Sequence, residues 1–212
     1  MPKIKNVLFD LGGVLLNIDY QKTAIAFTQL GVQQFDELYS QAAASDLFEA
    51  LETGDITEDD FYAATLLYCA PSTTRQQMET AWNAMLLNFR ISGLNHLETL
   101  GKHYAIYLLS NTNSIHLRAF NTMFQQQTGK TALDDYFIKA YYSHLIHQRK
   151  PNVATYTSVL ADAGLLAEET LFVDDSINNI IAAKQAGLQV HHLLPNEQIE
   201  NLIIDPLVAA IT

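Results

Sequence analysis

Four short segments combine reactive side chains with a turn or helix start that would present them. Val7-Leu8-Phe9 runs directly into Asp10, and Gly12-Gly13 follows. The run is too short and too apolar for an amphipathic helix. It reads as a buried parallel strand with a carboxylate at its carboxyl end, the edge where open α/β sheets bind ligands. The glycines permit backbone angles closed to other residues and a close approach of ligand to main chain; the plainer alternative is an Asp capping a turn. A second apolar run, Tyr104 to Leu109, ends in Ser110-Asn111-Thr112-Asn113 before a helical pattern, so a hydroxyl and free amides sit where an anion would bind. Arg149-Lys150-Pro151 sets a cation at the mouth of a helix beginning near Asn152. Leu171-Phe172-Val173 runs into Asp174-Asp175-Ser176, and adjacent carboxylates suggest a hard divalent cation. Each segment has a bland reading: Ser110, Asp175 and Ser176 as helix caps, Lys150 as a solvated surface residue.

The elements that must position these residues follow from the hydrophobic pattern. From residue 20 the period is helical: Tyr20 to Leu30, Leu38 to Leu51, Phe61 to Tyr68 and Met78 to Phe89, with Met78, Trp82, Met85, Leu86 and Phe89 on one face of the last. Thr57 with Asp60 three residues on resembles a capping box, and Gly54-Asp55 and Pro71-Ser72 mark breaks. No strand-like alternation is visible there. From Gly93 onward helices alternate with short apolar strands: a helix to Leu100, a strand to Leu109, and a helix over 114–126. A strand at 137–142, a helix over 153–163, the strand ending at Val173, a helix to Ala186 and a strand at 190–194 follow. Such alternation predicts a mostly parallel sheet. The fold class is therefore α/β, a Rossmann-like core over residues 1–16 and 90–212 with a helical insertion over 17–89.

In 212 residues, 49% hydrophobic and 17% charged, the chain has enough apolar material for a sizeable core. A net charge of -11 opposes nucleic acid and anionic membranes, so neither is expected as a partner. An anionic substrate would need local attraction from Lys150, a bound cation or helix N-termini. Cys69 stands alone and reads as packing. Met1 to Lys5 carries charge without a long apolar run, so no signal peptide is expected, nor any membrane span, and the cytoplasm is the default location.

Taken in order, Asp10, Ser110, Lys150 and Asp174-Asp175 resemble the four motifs of the haloacid dehalogenase superfamily over nearly the whole chain. The segments Phe9 to Asp19 and Leu109 to Asn113 are similar to the bacterial subgroup that includes an α-D-glucose-1-phosphate phosphatase. The resemblance implies a Rossmann-like core with a helical cap and a magnesium-dependent phosphatase of small phosphorylated metabolites. Asp10 would be the nucleophile, and Mg2+ would lie between Asp10, the Gly12 carbonyl and one or both of Asp174 and Asp175. Ser110 and the Asn111 amide would bind phosphoryl oxygens, and Lys150 would hold both nucleophile and transferring group.

One departure matters. Most phosphatases of the superfamily carry a second Asp two residues after the nucleophile, as acid and base, where this chain has Gly12. Asp19 is the nearest substitute as a catalytic group, against a plain role capping the helix from Tyr20. Asn179 is a candidate to orient Asp175, or a solvated surface residue. His191-His192 lies on a strand and cannot turn both rings to one metal, and His144 or His147 could touch substrate. A 2-haloacid dehalogenase-like hydrolase, a phosphomutase and a weakly active metal-binding regulatory protein are the competing readings; the paired carboxylates at 174 and 175 weigh against the first.

Overall fold

A computed structural model describes residues 3–32, 42–202 and 204, with backbone alone for 42–45. The centre is a five-stranded parallel sheet of β1 (Asn6–Phe9), β4 (Ala105–Ser110), β5 (Lys139–Tyr142), β6 (Thr170–Asp174) and β7 (Gln189–His192), in the order β5-β4-β1-β6-β7. Alternation along each strand feeds two apolar layers. Val7, Phe9, Ile106, Leu108 and Val173 face one, with Phe120 and Phe124. Leu8, Tyr107, Leu109 and Phe172 face the other, with Tyr156 and Ile180. Burial on both faces is why these strands read as unbroken hydrophobic runs. Register sets Phe9 level with Val173, so Asp10 and Asp174 emerge side by side where strand order switches direction, the crevice position for ligands.

Helices α1 (Tyr20–Gln29), α2 (Ala42–Thr53), α3 (Glu58–Leu66) and α4 (Arg75–Asn83) lie between two short strands, β2 (Leu16–Ile18) and β3 (Leu86–Phe89), paired antiparallel. The helices share their own apolar cluster, with Phe27, Phe48, Phe61, Met78 and Trp82 buried together and Ile115 reaching in from the α/β part. The Thr57–Asp60 capping box forms, and a second, Thr74–Gln77, starts α4. The other helices are α5 (Ile91–Leu100), α6 (Ser114–Thr128), α7 (Ser143–Ile146), α8 (Val153–Ala163) and α9 (Ile177–Gln185).

The strand pair corrects one expectation. Met78 to Phe89 is not one helix: α4 stops at Asn83 and the rest turns into β3. The Thr23 hydroxyl donates to the Trp82 carbonyl and accepts from Met85 N–H, both at 3.1 Å, and Asp19 N–H donates to the Met85 carbonyl at 2.9 Å. Partners from α1 and β2 thus take the groups that the next helical turn would have used. Part of the second expected helix, residues 38–41, lies outside the described residues. The short helix α7 was not anticipated.

Candidate active site

Asp10 follows β1, and its N–H bonds the Val173 carbonyl at 2.9 Å, which ties the first carboxylate to the strand bearing the second. Lys150 Nζ sits between them, donating to Asp10 Oδ1 at 2.6 Å and Asp174 Oδ2 at 2.7 Å. This lysine is only 1% exposed and Asp174 is 0% exposed, the opposite of a solvated surface residue. Burial in a low dielectric strengthens the attraction but carries a large desolvation cost, so breaking the group is expensive. Burial pushes the Asp10 carboxyl up to about 7, Lys150 pulling it back and Asp174 adding to the rise. For Lys150, burial favours the neutral amine, yet Asp10 and Asp174 more than offset it and hold the ammonium above its ordinary range.

The main chain at Lys150 is clamped by Asn111. Its Nδ2 donates to the Lys150 carbonyl at 2.8 Å and its Oδ1 accepts the Lys150 N–H at 2.9 Å. The Lys150-Pro151 peptide is cis. The Asn111 side chain is thereby committed to positioning the lysine, leaving the backbone N–H as the available donor. Ser110 ends β4 and is buried, while Asn113, not Ser110, caps α6 by accepting from His116 N–H at 3.0 Å. Asn152 caps α8.

Asp174 Oδ1 accepts Ser176 N–H at 2.8 Å, and Asn179 Nδ2 donates to both Asp174 oxygens at 3.0 Å. Asn179 therefore orients Asp174 rather than Asp175, one turn of α9 bringing it back onto the strand end. Neither Asp175 nor Ser176 supplies a side-chain cap to α9. Asp10, Asp174 and Asp175 each offer an oxygen within 4.8 Å of the others. Three carboxylates around one ammonium leave two negative charges uncompensated, and burial and Asp174 push Asp175 up as well. A divalent cation with oxygen ligands fits that charge and donor set. Gly13, at φ 74°, leaves room for the cluster: a Cβ there would stand 2.0 Å from Asp175 Oδ2.

A cavity of about 520 Å³ opens over this floor. Asp10, Ser110, Lys150 and Asp175 line its base, with Tyr20, Glu52, Trp82 and Met85 from the inserted helices and their connection to β3 above. Gly12 lines it too, and the space a Cβ would take there is met by Ile18 Cδ1 at 3.1 Å. Asp19 is not brought to this wall. Its carboxylate caps α1, accepting Gln21 N–H at 3.0 Å. His147 bonds the Thr53 carbonyl at 2.7 Å and His192 the Asp175 carbonyl at 3.0 Å.

Ion pairs that the sequence did not reveal hold the elements around the site, with Glu52 and Arg149 among the residues lining the cavity. Arg149 lies 3.0 Å from Glu52 and 3.2 Å from Glu49 on α2, which ties that helix to the lysine loop, while burial pushes the Glu52 carboxyl up. Arg118 of α6 and Arg75 both pair with Glu58 of α3. Only the fold brings these partners together; a lone Glu on a helix carries no signal of its mate.

The haloacid dehalogenase-like hydrolase family matches residues 4–187, and the chain belongs to that family. It is 33% identical over 187 residues, 88% of this chain and 90% of the relative, to a D-ribitol-5-phosphate phosphatase of Bacteroides thetaiotaomicron. A crystal structure of a family enzyme from the same organism is similar with a TM-score of 0.85 at 32% identity, over 92% of this chain and 96% of that one. That enzyme was also solved in complex with magnesium and inorganic phosphate. A predicted family hydrolase from Porphyromonas gingivalis reaches a TM-score of 0.84 at 29% identity, over 99% and 98% of the two chains. Two-haloacid dehalogenases share the fold at 18–19% identity with a TM-score of 0.56. No helix among the described residues is long and apolar enough to cross a membrane.

Proposed function

We propose that this chain is a magnesium-dependent phosphatase of small phosphorylated metabolites, sugar and polyol phosphates among them, working through an aspartyl-phosphate on Asp10. The observation that carries the reading is the buried Asp10–Lys150–Asp174 group, open to a cavity and joined by Asp175. Relatives that act on ribitol phosphate or bind magnesium with phosphate support it. Residues 17–89 act as the cap that selects substrate, over a core of 1–16 and 90–212.

An Asp10 oxygen attacks phosphorus as the bond to the leaving oxygen breaks. Water then attacks the same phosphorus, the acyl phosphate P–O bond breaks, and the carboxylate returns as inorganic phosphate departs, splitting one displacement into two. Lys150 keeps Asp10 in line and opposes charge on the transferring group. The Ser110 hydroxyl and the Asn111 N–H donate to phosphoryl oxygens, fixed donors of a kind worth about 3 to 4 kcal/mol each when aimed at developing charge. A magnesium ion held by Asp10, the Gly12 carbonyl, Asp174 and Asp175 would supply the positive charge that keeps Asp10 ionised and orients the phosphate.

Because Gly12 offers no acid, the leaving oxygen draws its proton from water. Anomeric and acyl phosphates therefore turn over faster than simple alkyl esters, by up to the hundredfold to ten-thousandfold that acid catalysis is roughly worth. Phosphate release from sugar and polyol monophosphates, with magnesium or with a chelator, tests the function. Release should vanish with chelator and fall about a thousandfold or more in Asp10→Asn. Chelator-resistant release, or an Asp10→Asn protein at wild-type rate, would sink the proposal.

A further inference from the structure

We infer that the negative charge of the cavity wall, Glu52 above all, selects phosphate monoesters whose organic part carries no second anionic group. Alcohol and sugar monophosphates then enter, while phosphorylated carboxylic acids and bisphosphates are turned away. The inference rests on the phosphatase reading and deepens it, naming a substrate class and the residue that sets it.

Charge is divided unevenly along the chain. Residues 17–89 hold eleven Asp and Glu against two Lys and Arg, so they carry nine of the eleven net negative charges. Neither cation serves the cavity. Arg75 pairs with Asp59 and Glu58, and Lys22 is exposed on α1 and is not among the lining residues. Residues 33–41, outside the described residues, contain no Lys or Arg in their sequence.

Among the described residues, the charged side chains lining the cavity are Asp10, Asp175 and Lys150 on the floor and Glu52 and Arg149 on the wall. Both cations are engaged. Lys150 spans Asp10 and Asp174 at 2.6 and 2.7 Å. Arg149 Nε lies 3.0 Å from Glu52 Oε2, and its Nη1 lies 3.2 Å from Glu49 Oε2. One guanidinium between two carboxylates leaves this wall with negative charge in excess. Burial pushes the Glu52 carboxyl up and Arg149 pulls it back, the permanently charged guanidinium favouring the carboxylate form. His116 also lines the cavity, but burial holds its pKa down to about 3, so the ring offers no charge to an anion.

Glu52 keeps 19% of its side chain exposed and Arg149 31%, so the pair is partly open rather than sealed in the core. A second anion on the substrate would have to shed water beside this excess with no free cation to receive it, since Lys150 would be occupied by the phosphoryl group. In a partly buried site that repulsion is weakly screened, and it acts as a penalty against the wrong ligand. A hydroxyl meets no such penalty.

The test compares kcat/KM, with magnesium present, for a pentitol phosphorylated at its terminal carbon, the aldonic acid monophosphate of the same carbon chain, and p-nitrophenyl phosphate. The first two differ by one carboxylate. Wild type should favour the polyol over the aldonate by about thirtyfold or more. Glu52→Gln keeps the shape of the side chain and should cut that ratio by about fivefold or more. Glu49 pairs with the same arginine without lining the cavity, so Glu49→Gln should narrow the ratio less. A Glu52 that only docked the helix would lower both substrates alike and leave the ratio where it was. Thermal melts check that each variant folds; should Glu52→Gln not, Glu52→Ala takes its place, and the wild-type ratio stands by itself in either case. Equal kcat/KM for polyol and aldonate in wild type, or a ratio unmoved in the Glu52 variant, would overturn the inference while leaving the phosphatase reading intact. No phosphate release from any of the esters, p-nitrophenyl phosphate included, would overturn the phosphatase reading and this inference with it.

Discussion

The floor and the roof of the cavity are built by opposite rules. On the floor, at the carboxyl ends of β1, β4 and β6, nearly every polar atom has a named partner: Lys150 spans two carboxylates, Asn111 clamps its main chain, and Asn179 and Ser176 hold Asp174. On the roof, aromatic rings hold one another, with Trp82 stacked against both Phe48 and His116. A fully satisfied charged network is rigid and suits a reaction that repeats on every substrate. An apolar frame with few polar points can be repacked to accept different organic groups while the floor stays unchanged.

The largest effect should come from breaking the floor at its centre. Lys150→Met leaves Asp10 and Asp174 buried without their shared ammonium. Removing one partner of a buried ion pair costs about 3–5 kcal/mol, so the urea midpoint should fall sharply in the absence of magnesium, and phosphate release should fall about a thousandfold or more. A variant that keeps wild-type stability would show that the network carries less of the fold than its burial suggests.

Gly13→Ala breaks the same floor more gently. The added Cβ would meet Asp175 Oδ2 at 2.0 Å, from a φ of 74° that costs an ordinary residue about 1–2 kcal/mol. Displacing one carboxylate of the cluster should weaken magnesium affinity roughly tenfold to a hundredfold, on the scale of losing an orienting partner, with the apolar roof unaffected. Titration of magnesium against activity and a thermal melt separate the two contributions.

The floor was legible in the sequence because Asp10 follows an apolar strand, Ser110 and Asp174 end two more, and strand ends in a parallel sheet converge, while Lys150, in the loop beyond α7, stood out as the cation before Pro151 at a helix start. Asp10, Ser110, Lys150 and Asp174 needed no knowledge of which helix packs where. The roof was not legible, for physical reasons that differ by residue. Met85, Leu86 and Phe89 fit helical spacing as well as strand spacing, and the decision fell to Thr23 and β2, more than sixty residues away. Asn179 lies one turn after Asp175, yet strand β6 directs Asp174 toward it. The pairs Glu52–Arg149 and Trp82–His116 join segments whose proximity follows from docking the inserted helices on α6 and on the Lys150 loop. Trp82 was visible as an aromatic on a helix face, where packing and pocket look alike.

The roof carries its own pH signature, smaller than the effects on the floor. His116 is neutral in the folded protein, its pKa held near 3 by burial, against about 6.5 unfolded. Between those values the unfolded chain binds the extra proton, so stability is fully present above 6.5 and falls as pH drops through this window. From pH 7 to pH 5 this one ring should remove about 2 kcal/mol of stability. His116→Phe should abolish that share of the pH dependence, seen in urea midpoints at the two pH values for both proteins. Parallel pH slopes in wild type and variant would mean that the imidazole titrates as it does in water.

The smallest effect is expected where the two regions join. Asp19 sits between β2 and α1 with its carboxylate bonded to Gln21 N–H, and an Asn oxygen accepts the same bond. Asp19→Asn should therefore change stability by less than about 0.5 kcal/mol and leave turnover within about twofold. The substitution removes the ability to exchange a proton while keeping the cap, so it isolates chemistry from folding. A hundredfold fall in turnover with an unchanged melt would assign Asp19 the proton transfer that Gly12 cannot perform. It would also require the start of α1 to move, since the side chain now points its oxygen at the helix end. The junction between β2 and α1 would then belong to the reacting floor.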